Sequence, residues 1–384
     1  MVLDRRRIAV ILCGLCSFLD LWATQSLLPM LAEELHATPV AVSFTVSMPP
    51  LAIALVAPWT GVIADVIGRK RIIVMAMFML VVPTVMVGYS TTLGAIVFWR
   101  FCQGAFVPPI FAGTVAYVAD EFPPGEATAA TGLYTAAGVF GGFLSRFLTA
   151  LLAEHLGWRG AFIGLALLTL ALAVGVALLL PRERGFARAT SLLGSAGQMV
   201  QHFRDKRLVA TYSVGFCVLF TLITIFTFIA FRLAAPPFAL STAALGALFV
   251  TYLAGVITTP LVGRGVALLG RQRLVLLALA GWAAALLLTL IPSLVAIIAG
   301  LALAAAFGFM CQACSTSYVA LTARQARSSA VGLYVTFYYL GGSVGGVAAG
   351  LAWVLAGWSG CVGVALIVLA LVATLVWRFW TDAT

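Results

Sequence analysis

Long apolar runs separated by short polar joints make up nearly the whole chain. The runs lie near residues 8–31, 40–63, 72–90, 94–118, 128–151, 161–180, 209–231, 242–262, 274–291, 294–318, 330–353 and 360–377. Each is close to the roughly 20 apolar residues that a helix needs to cross a bilayer. In lipid the backbone must satisfy its own hydrogen bonds, which permits only helices or a closed barrel, and runs without apolar–polar alternation predict helices. Thr38 before Pro39 reads as an N-cap with proline at the first helical position of span 2, and Ser241 is placed to cap span 8.

Composition agrees with twelve spans. Of 384 residues 63% are hydrophobic, about 242, and twelve spans of roughly 20 need about 240. With 9% charged residues a soluble fold would lack polar side chains to cover its surface. The expected organisation is an all-α membrane protein with an N-terminal six-helix bundle over 1–180, a cytoplasmic linker over 181–207 and a C-terminal six-helix bundle over 208–384. In the linker, Leu192, Leu193, Ala196, Met199, Val200 and Phe203 recur at helical spacing opposite Ser195, Gln198, Gln201 and Arg204. That pattern suits an amphipathic helix on the inner leaflet, with a plain tether as the alternative.

The net charge of +10 raises the question of nucleic acid, and the placement of the charge answers it. With a cytoplasmic N-terminus, 18 of the 22 Lys and Arg fall on the cytoplasmic side, and only Arg159 and Arg232 fall outside. This is the positive-inside pattern, so both termini are expected in the cytoplasm, the lipid bilayer is the partner, and no nucleic acid is implied. Arg5 to Arg7 before an apolar run also resembles a signal-peptide start, but the run is too long and lacks a small-x-small cleavage site.

The halves repeat. Pro58 and Pro260, Gly61 and Gly263, Gly68 and Gly270, Arg69 and Arg271, and Arg71 and Arg273 are each 202 apart. Further on the offset becomes 200, pairing Gly132-Leu133-Tyr134 with Gly332-Leu333-Tyr334, Gly141-Gly142 with Gly341-Gly342, and Gly157-Trp158 with Gly357-Trp358. An internal repeat in an apolar chain marks a secondary transporter.

Between spans 2 and 3 the chain reads Gly61-x-x-x-Asp65-x-x-Gly68-Arg69-Lys70-Arg71. This resembles the corresponding loop of major facilitator superfamily transporters. Arg100-x-x-x-Gly104 resembles the superfamily's span-4 motif, and Gly132 to Arg146 resembles the glycine-rich span-5 motif of its drug-efflux branch. That branch has Gly-Pro before its Gly-Gly pair, whereas Val139-Phe140 precede Gly141-Gly142 here. Ser145-Arg146 and Ala23-Thr24-Gln25-Ser26-Leu27-Leu28-Pro29 are similar to bacterial inner-membrane transporters of the YnfM type, in the arabinose-efflux-permease-like group.

The resemblance implies twelve helices in two pseudo-symmetric six-helix bundles, the major facilitator fold, working by alternating access in a bacterial inner membrane. It also implies a cytoplasmic gate of Gly61, Asp65, Gly68, Arg69, Arg71 and Asp120, in which Asp65 sits on the N-terminal end of span 11 near Ser329 and Arg69 pairs with Asp120. The second copy has Ala267 where the first has Asp65, which leaves Arg271 and Arg273 a topogenic role.

Three ionisable residues fall well inside the spans: Asp20, Arg100 and Arg146. A mid-span charge costs about 2.5 to 3.5 kcal/mol on insertion scales, so a role in a pathway or a pair is the default. Asp20 is the only acid among them and the candidate for proton coupling, its proton affinity set by burial against a nearby arginine. The alternatives are a static ion pair with Arg100 or Arg146, or contact with the solute. An arginine in a central cavity would also favour an anionic solute. By the resemblance, spans 1, 4, 7 and 10 wall the cavity, which makes Thr24, Gln103, Tyr134, Thr221, Thr224, Gln312, Tyr318 and Tyr334 further candidates beside Arg100 and Arg146. Each is also compatible with plain packing.

Two Cys-x-x-Cys pairs, Cys13 with Cys16 and Cys311 with Cys314, lie within spans. Soft-metal transport is a minor alternative on that ground, although free cysteine packs well as a small hydrophobe and no metal site or cofactor is expected. No ATP-binding loop appears and no enzyme is expected. The reading is a secondary transporter of a small organic solute, by proton-coupled efflux or, alternatively, by uptake or facilitated diffusion of an organic anion, working as a monomer.

Overall fold

The computed structural model describes residues 4–183, 202–323 and 327–380, apart from the side chains of a few helical positions that include Asp65 and Ser329. Most of the expected amphipathic stretch and the expected contact of Asp65 with span 11 therefore lie outside the described residues.

The first span is not one helix. Helix α1 (Arg5–Leu19) gives way at Asp20 to a run of turns, and α2 (Leu28–Glu34) resumes after it. A continuous helix over 8–31 was the expectation. The chain instead closes short i to i+3 bonds, Ala23 to Asp20, Gln25 to Trp22 and Leu27 to Thr24, and leaves other backbone groups to find partners elsewhere.

Four helices follow: α3 (Pro39–Ile67), α4 (Arg69–Tyr89), α5 (Leu93–Glu121) and α6 (Pro124–Leu179). Thr38 caps α3 by accepting from the Ala41 N–H at 3.2 Å, and Thr92 caps α5 by accepting from Ala95 at 3.3 Å. Helix α6 has 56 residues and non-helical torsions at Gly157 (φ 69°, ψ 166°), a left-handed position that suits glycine. It is a hairpin of two crossings. Gly138 and Gly175 both abut α1, at Phe18 and Leu12, although a straight helix would hold them about 55 Å apart.

The second half comprises α7 (Lys206–Ala234), α8 (Thr242–Ala247), α9 (Leu253–Thr258), α10 (Val262–Leu269), α11 (Arg271–Leu288), α12 (Leu294–Thr322) and α13 (Arg327–Phe379). Helix α13 turns back at Gly357 as α6 does at Gly157, because Tyr334 packs on Gly215 while the Trp380 indole donates to Thr211, all near the start of α7. Span 8 is made of α8, α9 and α10 with tighter 3-10 turns at Leu248–Tyr252 and Thr259–Leu261. Ser241 caps it, accepting from the Ala244 N–H at 3.3 Å.

Nine helical segments among the described residues are long and apolar enough to cross a bilayer. Those over 129–179 and 330–379 each cross twice, and the divided first span adds one, which makes twelve. By internal contacts the chain forms two compact units, Met1–Ser191 with Ser241–Ala247, and Leu192–Leu240 with Leu248–Thr384.

The sequence repeat is also a packing repeat. A side chain at Gly141 would collide with the Leu15 carbonyl of α1, and one at Gly341 with the Phe216 carbonyl of α7. Small residues let backbones approach closely where lipid offers no hydrophobic drive for helix association. Gly104 of α5 meets the Pro49 backbone of α3 in the same way. Gly104→Ala is therefore expected to lower stability by about 1 to 3 kcal/mol through overpacking. Gly132→Ala, with nothing within 4 Å of the added methyl, is expected to be neutral. Thermal melting of both variants in detergent checks this, and equal melting would refute the close α3–α5 contact.

Candidate functional site

The turns at 20–27 are placed by polar side chains from three helices. Arg100, the eighth residue of α5, is fully buried. Its Nε donates to the Thr45 carbonyl at 2.9 Å, one terminal nitrogen donates to the Asp20 carbonyl and to Gln103 Oε1 at 2.6 Å each, and the other donates to the Leu21 carbonyl. Thr24 adds a bond to the same Thr45 carbonyl at 3.3 Å. A planar guanidinium with five N–H donors can serve several acceptors at once, which an ammonium cannot do in a fixed fork.

Asp20 marks the end of α1, and its side chain is buried, with 1% of its surface exposed. Its carboxylate makes no salt bridge to Arg100. Oδ1 accepts from the Thr84 hydroxyl of α4 at 2.9 Å, and Oδ2 accepts from the Thr169 hydroxyl of α6 at 2.9 Å. Arg100 lies against Asp20's backbone instead, so in place of the static ion pair weighed as an alternative there is a clamp on the broken helix. Gln103 joins the layer by donating from Nε2 to Thr84 Oγ1 at 2.8 Å. The Thr84 hydroxyl also lies 2.8 Å from the Leu80 carbonyl, so its one proton faces two acceptors.

Arg146 of α6 takes part in the same region from another side. Its Nε donates to Gln25 Oε1 at 2.8 Å and a terminal nitrogen to the Gly142 carbonyl at 2.6 Å, and the guanidinium lies over the Trp22 ring, 5.1 Å from its centre. Ser26 donates to the Arg146 carbonyl at 2.9 Å. Thr84, Thr169, Thr45 and Trp22 were not singled out from sequence, and Gln25 was named only within the stretch Ala23 to Pro29, with no partner assigned. For the three threonines the only signal was a hydroxyl inside an apolar run, which many positions share.

Between the start of α4 and the end of α5, Arg69 Nε donates to Asp120 at 2.9 Å. Glu183, also missed, accepts from the Lys70 N–H at 3.2 Å and so caps the N-terminus of α4 next to Gly68, while the Lys70 ammonium donates to the Ala177 carbonyl at 3.1 Å. Arg7 pairs with Glu126 at 2.7 Å.

The remaining sequence candidates are placed separately. Tyr134 shares a hydrogen bond with Ser17 and Tyr334 one with Ser315, each at 2.8 Å. Thr224 donates to the Gly345 carbonyl at 3.1 Å, and Thr221 sits 3.8 Å from the Cys217 sulfur, so both join α7 packing. Tyr318 packs at a tilt against Trp380, ring centres 4.4 Å apart, with Arg271 over its ring at 5.2 Å. Gln312 keeps its Oε1 without a hydrogen-bond partner. Cys13, Cys16, Cys311 and Cys314 are all buried, and among the described residues no group of three or more His, Cys, Asp or Glu is placed to hold a metal ion.

Twelve crossings built as a repeat, with a charged and hydroxyl-lined layer inside one half, define a multi-pass membrane transporter. The sequence profile of the Major Facilitator Superfamily matches residues 10–263, and the chain belongs to that superfamily. It is 30% identical over 376 residues to the inner membrane transport protein YnfM of Escherichia coli, covering 97% of this chain and 89% of that one. It is 29% identical over 352 residues to the uncharacterized MFS-type transporter YybF of Bacillus subtilis, covering 91% and 87%. Among solved structures, a bacterial homologue of the human lysosomal transporter Spinster, inward-facing and unoccupied, superposes with a TM-score of 0.79 at 15% identity over 98% of both chains.

Removing the Arg100 side chain would orphan the carbonyls of Asp20 and Leu21 and the Gln103 amide oxygen. Breaking such a buried charge network is expected to cost about 3 to 5 kcal/mol. Arg100→Ala should lower the melting temperature and speed amide hydrogen exchange across 20–27, with Arg100→Lys restoring only part of the protection. Wild-type protection in Arg100→Ala would show that the clamp does not hold the break.

Proposed function

We propose that the chain exports a small organic solute across the bacterial inner membrane in exchange for protons, by alternating access, with both termini in the cytoplasm and one chain as the working unit. The observation that carries this reading is Asp20, the one acid within the spans, held at a helix break between two hydroxyls.

The hydroxyls make both protonation states chemically acceptable. With Asp20 ionised, the Thr84 and Thr169 hydroxyls donate to its two oxygens. When a proton binds at Oδ1, the Thr84 hydroxyl rotates to the Leu80 carbonyl, 2.8 Å away, and its oxygen accepts from the new Asp20 O–H while keeping the Gln103 N–H. No buried donor is stranded in either state, so the site takes up and gives back a proton without a second acid. Arg100 keeps its charge throughout, because backbone carbonyls and an amide oxygen hold it. Neutralising Asp20 therefore changes the local charge by one unit beside the helix break, a differential that can bias two conformations.

In this reading the Arg69 to Asp120 pair, together with Asp65 and the glycines Gly61 and Gly68, closes the cytoplasmic side and opens during the cycle, with Arg71 adding positive charge. The direction of transport rests on the resemblance of the Gly132 to Arg146 stretch to the drug-efflux branch. Uptake or facilitated diffusion of an organic anion is the second reading, favoured by Arg146 and Gln25 beside Trp22.

Proton flux in energised inside-out vesicles tests the coupling. Solutes of several classes are added to wild type and to Asp20→Asn; a solute-triggered collapse of the pH gradient should appear in wild type and vanish in the variant. Thr84→Val should retain exchange but displace its pH profile, because Asp20 then loses the partner that adapts to its protonation. Solute movement with no proton movement in either protein would overturn antiport in favour of facilitated diffusion. For the gate, Asp120→Asn should lower exchange severalfold while the melting temperature changes little, since exposed pairs contribute about 0 to 1 kcal/mol. The swap Arg69→Asp with Asp120→Arg should recover part of the rate, and no recovery would argue against pairing as the active element.

A further inference from the structure

Basic side chains find different partners in the two units. In the first unit Arg7 pairs with Glu126 at 2.7 Å, Arg69 with Asp120 at 2.9 Å and Arg159 with Glu34 at 3.4 Å. Among the described residues the second unit has no such pair. From residue 202 onward the sequence holds two acids, Asp205 and Asp382, against ten Lys and Arg. Asp205 is taken up as a cap of α7, accepting from the Arg207 N–H at 2.8 Å, and Asp382 lies outside the described residues.

Three of these cations gather around the end of α13. The Gln272 amide of α11 donates to the Val376 and Trp377 carbonyls at 3.1 and 2.8 Å, and the Trp380 indole donates to Thr211 of α7 at 3.1 Å. The starts of α7 and α11 therefore flank the end of α13. Lys206, the first residue of α7, holds its ammonium 5.8 Å from the centre of the Phe379 ring, and the Arg378 guanidinium is 5.7 Å from the same centre. Arg273 follows Gln272 on α11. Lys206, Arg273 and Arg378 are exposed, and so is Trp377, at 71%.

Three membrane spans end here, so the neighbour of these side chains is the border of the bilayer. An exposed tryptophan at that depth has an apolar ring for acyl chains and an N–H for the headgroup layer. Cations there attract anionic headgroups, and the attraction fades within about 10 Å. A topological signal needs only a number of charges on one side of the membrane. Cations grouped on one ring, beside one open indole and without an acid to pair with, mark a place.

We propose that the starts of α7 and α11 and the end of α13 form a binding site for an anionic glycerophospholipid. Lys206 and Arg378 hold its phosphate, Arg273 adds positive charge beside them, and Trp377 receives its acyl chains. The open indole favours a lipid over a soluble phosphate ester, because only a ligand with an apolar tail covers both the ring and the cations. The site depends neither on the direction of transport nor on its coupling.

Tryptophan quenching by lipids with brominated acyl chains tests this on the full chain in bilayers. The difference between wild type and Trp377→Phe isolates the signal of Trp377. Brominated phosphatidylglycerol should reach that residue with about tenfold preference over brominated phosphatidylcholine. The preference should shrink toward unity when salt cuts the Debye length to about 3 Å. It should be lost in Lys206→Gln with Arg378→Gln, and kept when the same charge is removed elsewhere, in Arg5→Gln with Arg182→Gln. Unchanged quenching by phosphatidylcholine in the first pair shows that Trp377 still faces lipid, which separates loss of the site from loss of the fold. Soluble glycerol 1-phosphate should not displace the lipid. Equal quenching by the two lipids in wild type, or a preference that survives Lys206→Gln with Arg378→Gln, overturns the site. Loss of the preference in the control pair reduces it to a general field of net charge, and displacement by glycerol 1-phosphate overturns the lipid as its ligand.

Discussion

Breaking a helix inside a bilayer is permitted only if protein groups take over the hydrogen bonds that the helix gives up. Arg100 does this for the first span. One buried guanidinium serves the carbonyls of Asp20, Leu21 and Thr45 and the Gln103 amide, and so ties α1, α3 and α5 to a single point. The cost of burying the cation is offset by this set of charge-assisted bonds. The break in turn puts Asp20 at a helix end, where its carboxylate reaches Thr84 on α4 and Thr169 on α6. Four neighbouring elements of the first unit are thus organised by the consequences of one broken span.

The two halves share a scaffold and differ in chemistry. Gly141 and Gly341 perform the same close approach on α1 and α7, and Gly157 and Gly357 turn the same hairpins. The charges well inside the spans, Asp20, Arg100 and Arg146, belong to the first half, whereas the second presents aromatic rings, hydroxyls and an unpartnered amide oxygen. Duplication preserves backbone geometry because close helix contacts tolerate few substitutions. Side chains that face a polar interior are under no such packing constraint, and here they have diverged into a charged layer and an aromatic one.

Much of the site was visible as anomaly, and little of it as partnership. Asp20, Arg100 and Arg146 stand out because a charge in an apolar run is expensive wherever it lands. Their neighbours did not stand out. Thr84 and Thr169 have the same local look as Thr60 and Thr114; all but Thr169 bond a carbonyl of their own helix, and only Thr84 and Thr169 also reach Asp20. Glu183 was hidden for the same reason, as an acid after the sixth span that only the fold brings beside Lys70. An arginine near Asp20 was anticipated, with a static ion pair to Arg100 or Arg146 as one alternative to proton coupling. The structure separates the carboxylate from the guanidinium because the unwound backbone is the stronger competitor for the arginine's donors.

What the sequence determined by itself was the membrane class, the twelve crossings, the twofold repeat and the superfamily, since bilayer thickness, backbone satisfaction and the distribution of basic residues are constraints written along one dimension. Only the tertiary structure decided where the first span breaks, which hydroxyls hold Asp20, that Arg100 clamps backbone rather than carboxylate, and that Tyr252 meets Phe226 and Phe309. Each of these depends on which helices lie side by side, and a hydroxyl or ring carries no mark in sequence of the neighbour it will have.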